Sequence, residues 1–349
     1  MVLRLGHRTS RYLHSRVADS RLPFARRLPI MLCLVFTAYC SPLTAHCSAQ
    51  ALDPGETIRI DADLVDLNVS VFSRDRARPA GNLTQKDFAV FENGTPQEIA
   101  FFASAETPFD LVLLLDLSGS TSGKLDLIRA SAKRFVAAAP AADRIAIVTF
   151  TDEPRVAAPL TADRQQLQKA IEHIKKPSGG TNFWDALRYV LETEVPQPLP
   201  AQSHRRAAVV IMTDGVDNAL PDVTGEGSHT SFPELLQIVR RSDAIILPIY
   251  LDTEEESVKK HRVPSSAYVF ARQQLAELAE ESGNAVYQAA SLKDLESVYE
   301  QVIRDLGTVY SLGYSPANRA HDGSWRTIKI QLPARPDLAV RVKRGYYAK

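Results

Sequence analysis

The chain has 349 residues, with 41 Lys and Arg against 41 Asp and Glu, and three cysteines. Hydrophobic residues at 45% and charged residues at 23% are the proportions of a folded globular protein, and they exclude a disordered, collagen-like or low-complexity chain. Balanced charge argues against a generic nucleic-acid binder, which carries a basic excess, and the length allows one large core plus a smaller one.

Those averages conceal an asymmetric N-terminus. Cys33, Cys40 and Cys47 all fall within residues 1–51, together with seven arginines and a single acid, Asp19. An arginine-rich stretch, a short apolar run over 30–38 and the small residues Ser48-Ala49-Gln50-Ala51 have the layout of a secretory signal peptide. The apolar run is shorter than the roughly 20 residues of a membrane-spanning helix, so the expected product is exported: periplasmic, cell-surface or secreted, with no transmembrane span in the mature chain. The alternatives are an uncleaved anchor helix, twin-arginine export through Arg26-Arg27, and translation from Met31. Tyr39 and His46, where a small residue would precede a lipidated cysteine, argue against a lipoprotein. Without residues 1–51 the chain keeps 34 basic and 40 acidic residues and no cysteine. That excludes a disulfide framework, a thiolate zinc site and a cysteine nucleophile.

Residues 52–107 read as an N-terminal β segment. Strands are expected at 58–60 and 64–72, where apolar and polar residues alternate, and a turn at 78–82. A hairpin is expected between 88–91 and 99–102 across Glu92-Asn93-Gly94. From about residue 108 strands and helices alternate. The apolar run 111–115 is expected to be a central strand covered on both faces, followed by a helix over 125–139, a strand over 144–150 and a short antiparallel return at 155–158. Helices follow at 167–174 and 183–194, a strand at 207–212, a helix at 232–241, a strand at 244–251, a helix at 270–281, a strand at 285–287 and a last helix at 292–306. The expected fold over 108–307 is therefore α/β, a doubly wound and mostly parallel six-stranded sheet, whose ligands sit at the carboxyl ends of the strands. The tail, 308–349, is β again at 310–314, 326–332 and 338–342. It is expected to pack with the N-terminal segment as a small β-sandwich.

Three short segments carry chemistry: Asp116-Leu117-Ser118-Gly119-Ser120 after one apolar strand, Gly179-Gly180-Thr181 opening a helix, and Thr213-Asp214-Gly215 after another apolar strand. Taken singly, each reads as a strand-ending turn or a helix cap. Together, in this order and at these strand ends, they resemble the metal-ion-dependent adhesion site of the von Willebrand factor type A domain. The resemblance covers roughly 109–306. It implies metal ligation by Asp116, Ser118, Ser120, Thr181 and Asp214, with Asn182, Asp185, Asp217 and Asn218 as supporting groups. An all-oxygen set of this kind suits a hard cation, Mg²⁺ or else Mn²⁺ or Ca²⁺, and two carboxylates leave it underneutralised. A protein partner offering an acidic residue can then complete the coordination shell, without a catalytic base.

The flanks extend the resemblance. Asp87-Phe88-Ala89-Val90-Phe91-Glu92-Asn93-Gly94, Gly313-Tyr314, Trp325-Arg326-Thr327-Ile328 and Arg344-Gly345-Tyr346-Tyr347 are similar to the acidobacterial-type "VWFA-related" family of exported proteins. Competing chemistries fit poorly. Ser118 stands where an aspartate-nucleophile phosphatase needs a second acid, and there is no G-x-S-x-G elbow, H-E-x-x-H pair or G-x-x-x-x-G-K-[ST] loop. The basic run 259–262 follows three glutamates and reads as a solvated loop or a partner-binding insertion; Trp184 and Trp325 read as core. The expected function is a non-enzymatic, metal-dependent binding module. The alternatives are a metal-assisted hydrolase and a structural envelope domain whose metal only stabilises the fold.

Overall fold

The computed structural model describes residues 64–74, 82–175, 179–195, 205–259, 263–289 and 294–348, without the side chains at 120, 122, 123 and 256. The expected signal peptide, the strand at 58–60, most of the turn at 78–82 and residues 260–262 of the basic run lie outside them.

In chain order the strands are β1 (Val65–Ser73), β2 (Ala89–Glu92), β3 (Thr95–Gln97), β4 (Ile99–Ala103), β5 (Phe109–Asp116), β6 (Arg144–Phe150), β7 (Pro154–Thr161), β8 (Arg206–Thr213), β9 (Ile245–Leu251), β10 (Tyr287–Ala289), β11 (Val309–Tyr314), β12 (Trp325–Gln331), β13 (Leu338–Arg341) and β14 (Gly345–Tyr347). The helices are α1 (Leu125–Ala138), α2 (Arg164–Glu172), α3 (Phe183–Tyr189), α4 (Phe232–Arg241), α5 (Glu254–Lys259), α6 (Ser265–Glu281) and α7 (Leu295–Leu306).

Six strands form one sheet in the order β10-β9-β8-β5-β6-β7, parallel except for the antiparallel edge strand β7. The run at 111–115 is apolar on both sides for a reason now visible. Leu111, Leu113 and Leu115 pack into the layer that holds Ile128, Phe135 and Val302 of α1 and α7. Val112 and Leu114 pack into the opposite layer, with Leu187, Leu235 and Leu275 of α3, α4 and α6. Helix starts follow side-chain chemistry. The Asp163 carboxylate accepts from the amides of Gln165 and Gln166 at the head of α2, and Ser231 and Glu234 form a reciprocal capping box on α4.

Four elements differ from expectation. The helix expected over 183–194 is α-helical only to Tyr189, then widens into a π turn at Val190–Glu194. The helix expected to start at 270 starts at Ser265, and α5 was not anticipated. The hairpin is also rearranged: β2 pairs with β3, not with β4. Asn93 and Gly94 adopt φ of 47° and 82°, the two-residue turn that matches strand twist, so residues 95–97 return directly along β2. The chain then leaves for the other sheet, where β4 pairs with β11.

Sheets β13-β1-β11-β4 and β14-β12-β2-β3 face each other as a sandwich built from both flanks of the α/β unit. Leu67, Val69, Val71, Val90, Leu312 and Ile330 form its core with the rings of Phe88 and Tyr310, whose centroids are 5.4 Å apart. A polar cluster is buried there as well. Glu92 accepts hydrogen bonds from Tyr314 and Tyr346, each 2.7 Å, and from Arg326 at 3.3 Å; Glu92 and Arg326 are 3% and 2% exposed. Arg206 joins the two cores. Its guanidinium donates to the carbonyls of Ala105, Thr107 and Val309 and lies 4.3 Å from the Phe109 ring.

Candidate metal centre

Strand order reverses between β5 and β8, since β6 lies on one side of β5 and β8 on the other. Their carboxyl ends are therefore the place where such a sheet opens a crevice. Asp116 is the last residue of β5, and Asp214 is the first beyond β8; they are 0% and 1% exposed.

Both carboxylates are held by short bonds. The Asp116 Oδ1 atom accepts from the Ser118 amide at 2.9 Å, and its Oδ2 accepts from the Thr213 hydroxyl at 2.6 Å. The Asp214 Oδ1 atom accepts from the Val216 amide at 3.2 Å, and its Oδ2 accepts from the Thr253 hydroxyl at 2.6 Å. Burial, and then the Asp214 charge, push the Asp116 carboxyl up to about 7, against the pull of the hydrogen bonds from Thr213 and Ser118. Two buried carboxylates that raise each other's energy require a proton or a cation between them.

The other expected ligands come from loops laced to these ends. Ser118 is 1% exposed, and its carbonyl accepts from the Thr121 amide and hydroxyl, which start the 3₁₀ turn at Gly119–Lys124. Ser120 lies within that turn, and its side chain falls outside the described ones. Thr181, 7% exposed, sits on a segment bonded on both sides: the Gly119 amide donates to the Gly179 carbonyl at 3.3 Å, and the Asn218 amide to the Thr181 carbonyl at 2.9 Å. Of the two glycines before it, Gly179 is set by its backbone, with φ of 118°. A Cβ on Gly179 would lie 2.4 Å from Asp152 Oδ2, and one on Gly180 would lie 2.5 Å from Asn218 Nδ2. Asp152 Oδ1 accepts from the Gly180 amide at 2.7 Å, so the carboxylate and the glycine loop are fitted to each other.

The four residues expected to support the site build its surrounding loops. Asp217 accepts from the Trp184 amide, the Ala219 amide and both the amide and hydroxyl of Ser228. Asp185 accepts from the His229 and Thr230 amides. Asn182 donates to the Asp152 carbonyl, and Asn218 to that of Glu226. Thr213 stood inside the quoted segment without a role of its own. Asp152 and Thr253 carried no signal, because their neighbours in sequence are ordinary loop residues.

The donor set fits a hard divalent cation: carboxylates at Asp116 and Asp214 and an alcohol at Ser118, buried at strand ends, and an alcohol at Thr181, buried just before α3. Among the described residues no three His, Cys, Asp or Glu side chains gather to hold a metal. A cation placed here would meet two carboxylates plus alcohols, a weakly neutralising set.

Residues 111–216 match the family model of the von Willebrand factor type A domain. The matched span of the type A domain contains Asp116, Ser118, Thr181 and Asp214, and runs from β5 to just beyond β8. A curated relative, a UPF0353 protein of Nocardia farcinica, is 23% identical over 212 residues, 57% of this chain. The aligned region spans 61% of that relative's length. Solved structures with similar backbones include an aerotolerance-related membrane protein from Bacteroides fragilis (15% identity, TM-score 0.42, 56% of this chain and 98% of that one). Another is the vWF domain of the type V pili tip protein Mfa5 from Porphyromonas gingivalis (16%, 0.42, 57% and 94%). A third is proximal thread matrix protein 1 from the mussel byssus with a zinc-occupied MIDAS motif (17%, 0.41, 60% and 48%). Among the described residues no helix is long and apolar enough to cross a membrane.

Proposed function

We propose that this chain is an exported, non-enzymatic binding module in which Asp116, Ser118, Ser120, Thr181 and Asp214 hold a divalent cation, Mg²⁺ or a close substitute, that takes a carboxylate from a protein partner. The observation that carries this reading is the pair of buried aspartates at adjacent strand ends, each with one oxygen braced by a threonine hydroxyl. Bound there, the ion supplies a coordination position open to an anionic oxygen. The chain's own part is to keep the carboxylates oriented, to place the Thr181 loop over the crevice by way of Gly179 and Gly180, and to keep the loops rigid through Asp185 and Asp217. The groups seen bonding the two aspartates are alcohols and backbone amides, which orient charge without carrying protons to and fro at neutral pH. That favours recognition over hydrolysis. Export is supported by the composition of residues 1–51.

The test is thermal unfolding of the full chain with and without Mg²⁺ or Mn²⁺, beside Asp116→Ala. The ion should raise the melting temperature of the wild type and leave Asp116→Ala unmoved; an equal shift in both rejects the site. A partner captured from the native cell envelope should be released by EDTA. A partner that stays bound favours a purely structural metal, and ester or phosphate turnover lost in Ser118→Ala favours a hydrolase.

A further inference from the structure

We infer that Thr253 and Tyr268 are positioning residues for the metal ligand Asp214, forming a two-hydroxyl relay that fixes its carboxylate and ties the metal crevice to α6. The inference rests on the metal reading above and concerns residues outside the ligand pattern.

Thr253 follows β9 by two positions, and Tyr268 lies in the first turns of α6; they are 2% and 0% exposed. The Thr253 Oγ1 atom is 2.6 Å from Asp214 Oδ2 and 3.0 Å from the Tyr268 hydroxyl. A threonine hydroxyl has one proton and two lone pairs. With that proton committed to the ionised carboxylate, the Tyr268 O–H has to point at Thr253, so both protons are polarised toward Asp214.

The relay does what a ligand in this position needs. Asp214 faces a carboxylate of like charge, and without a brace the repulsion rotates it away from the shared cation position whenever no cation is bound. Holding it in place before the ion arrives removes that reorganisation from the cost of binding. Asp116 has the same kind of support from Thr213, but that donor is next to a ligand in sequence. Thr253 is brought in from a different strand end, and Tyr268 from a helix beyond it. The metal crevice is therefore coupled to α6, to which the ligand residues themselves do not belong.

The probe is Mn²⁺, titrated into the metal-free full chain while the free ion is followed by its electron paramagnetic resonance signal. Thr253→Val keeps the branched shape without the hydroxyl, and Tyr268→Phe removes only the phenolic oxygen. Each should raise the Mn²⁺ Kd by about 10–100-fold, the usual cost of losing support behind a metal ligand. Thr253→Ser should restore wild-type affinity, and the metal-free melting temperature of Tyr268→Phe should stay near that of the wild type. Wild-type uptake with an unchanged Kd in both Thr253→Val and Tyr268→Phe overturns the positioning role alone. A wild type that takes up no Mn²⁺ overturns the metal reading and the relay with it. Where Thr253→Val fails to fold, Tyr268→Phe decides.

Discussion

The Thr213 hydroxyl donates to Asp116 Oδ2 at 2.6 Å across the boundary between two adjacent parallel strands, and itself accepts from the Gly215 amide at 2.8 Å. One alcohol thus links the end of β8 to the end of β5. Thr213→Val keeps the branched side chain that the buried strand wants and deletes both bonds. The expected result is a metal-free chain less stable by about 1–3 kcal/mol, because a buried amide loses its acceptor. A weakened thermal response to Mg²⁺ should accompany it. Chemical denaturation with and without the ion measures both.

Gly179 makes a sharper conformational test. Its φ of 118° is one that residues with a Cβ rarely adopt, and an added Cβ would lie 2.4 Å from Asp152 Oδ2 and 3.3 Å from Thr151 Cβ. Gly179→Ala should displace the segment that carries Thr181 and cost about 1–3 kcal/mol, the range for a residue held in a sparsely populated backbone region. The shift in melting temperature caused by Mn²⁺ should shrink further than the metal-free stability falls. A variant that keeps the full metal-induced shift would place Thr181 outside the ligand set.

The sandwich responds through a different pair. Arg326 and Glu92 are both buried, and Tyr314 and Tyr346 also bond the same carboxylate. Arg326→Met leaves the carboxylate buried without its cation and should cost about 3–5 kcal/mol, whereas Arg326→Met combined with Glu92→Met should cost less than Arg326→Met alone. Metal affinity should be unchanged in both, since neither residue touches the crevice. Urea unfolding of the two variants, with a Mn²⁺ titration as the control, checks this.

Acid stability turns on Asp110. Burial pushes its carboxyl up, but hydrogen bonds from Arg144 and Arg205 outweigh burial and hold it below its ordinary value. The bonds are 2.7 Å from Arg144 Nε and 2.7 Å from Arg205 Nε. A carboxyl lowered in the folded state contributes stability that is present above its unfolded pKa and lost as pH falls through its folded one. Asp110→Asn should therefore lower stability at neutral pH by about 1–2 kcal/mol, discounted because Arg144 is partly solvated. It should also flatten the decline of stability below about pH 4. Unfolding free energies measured from pH 2 to pH 7 provide the comparison.

Much of the α/β layer was legible because its strands are buried on both faces, so 111–115, 145–148 and 207–212 appear as continuous apolar runs and their ends are easy to find. The candidate site residues stood out for the same reason, as they gather at strand ends or just before a helix. The hairpin was not. Ile99 and Phe102 are apolar and close in sequence to 88–91, yet the tight Asn93–Gly94 turn sends 95–97 back instead, and Pro96 in that short strand hid it. Helix α5 was hidden by its charge: Glu254-Glu255-Glu256 reads as solvated loop, whereas the Glu254 amide is capped by Asp252 and its carboxylate is bonded by Arg272. Thr253 and Asp152 act through distances between elements remote in sequence, and no local pattern marks them.

Arg206 grips the backbone on both sides of the α/β unit, at Ala105 and Thr107 before β5 and at Val309 after α7. The sandwich is thus an interrupted domain, in which Glu92 reaches across 234 positions to Arg326. An unfolded loop of that length would have to be closed against its entropy before any strand of the first half met one of the second. Once folded, the α/β unit works as a clasp that has already closed it, delivering β4 and β11 side by side. Opening the clasp releases both halves of the sandwich, so the α/β unit and its flanks should melt as one cooperative body.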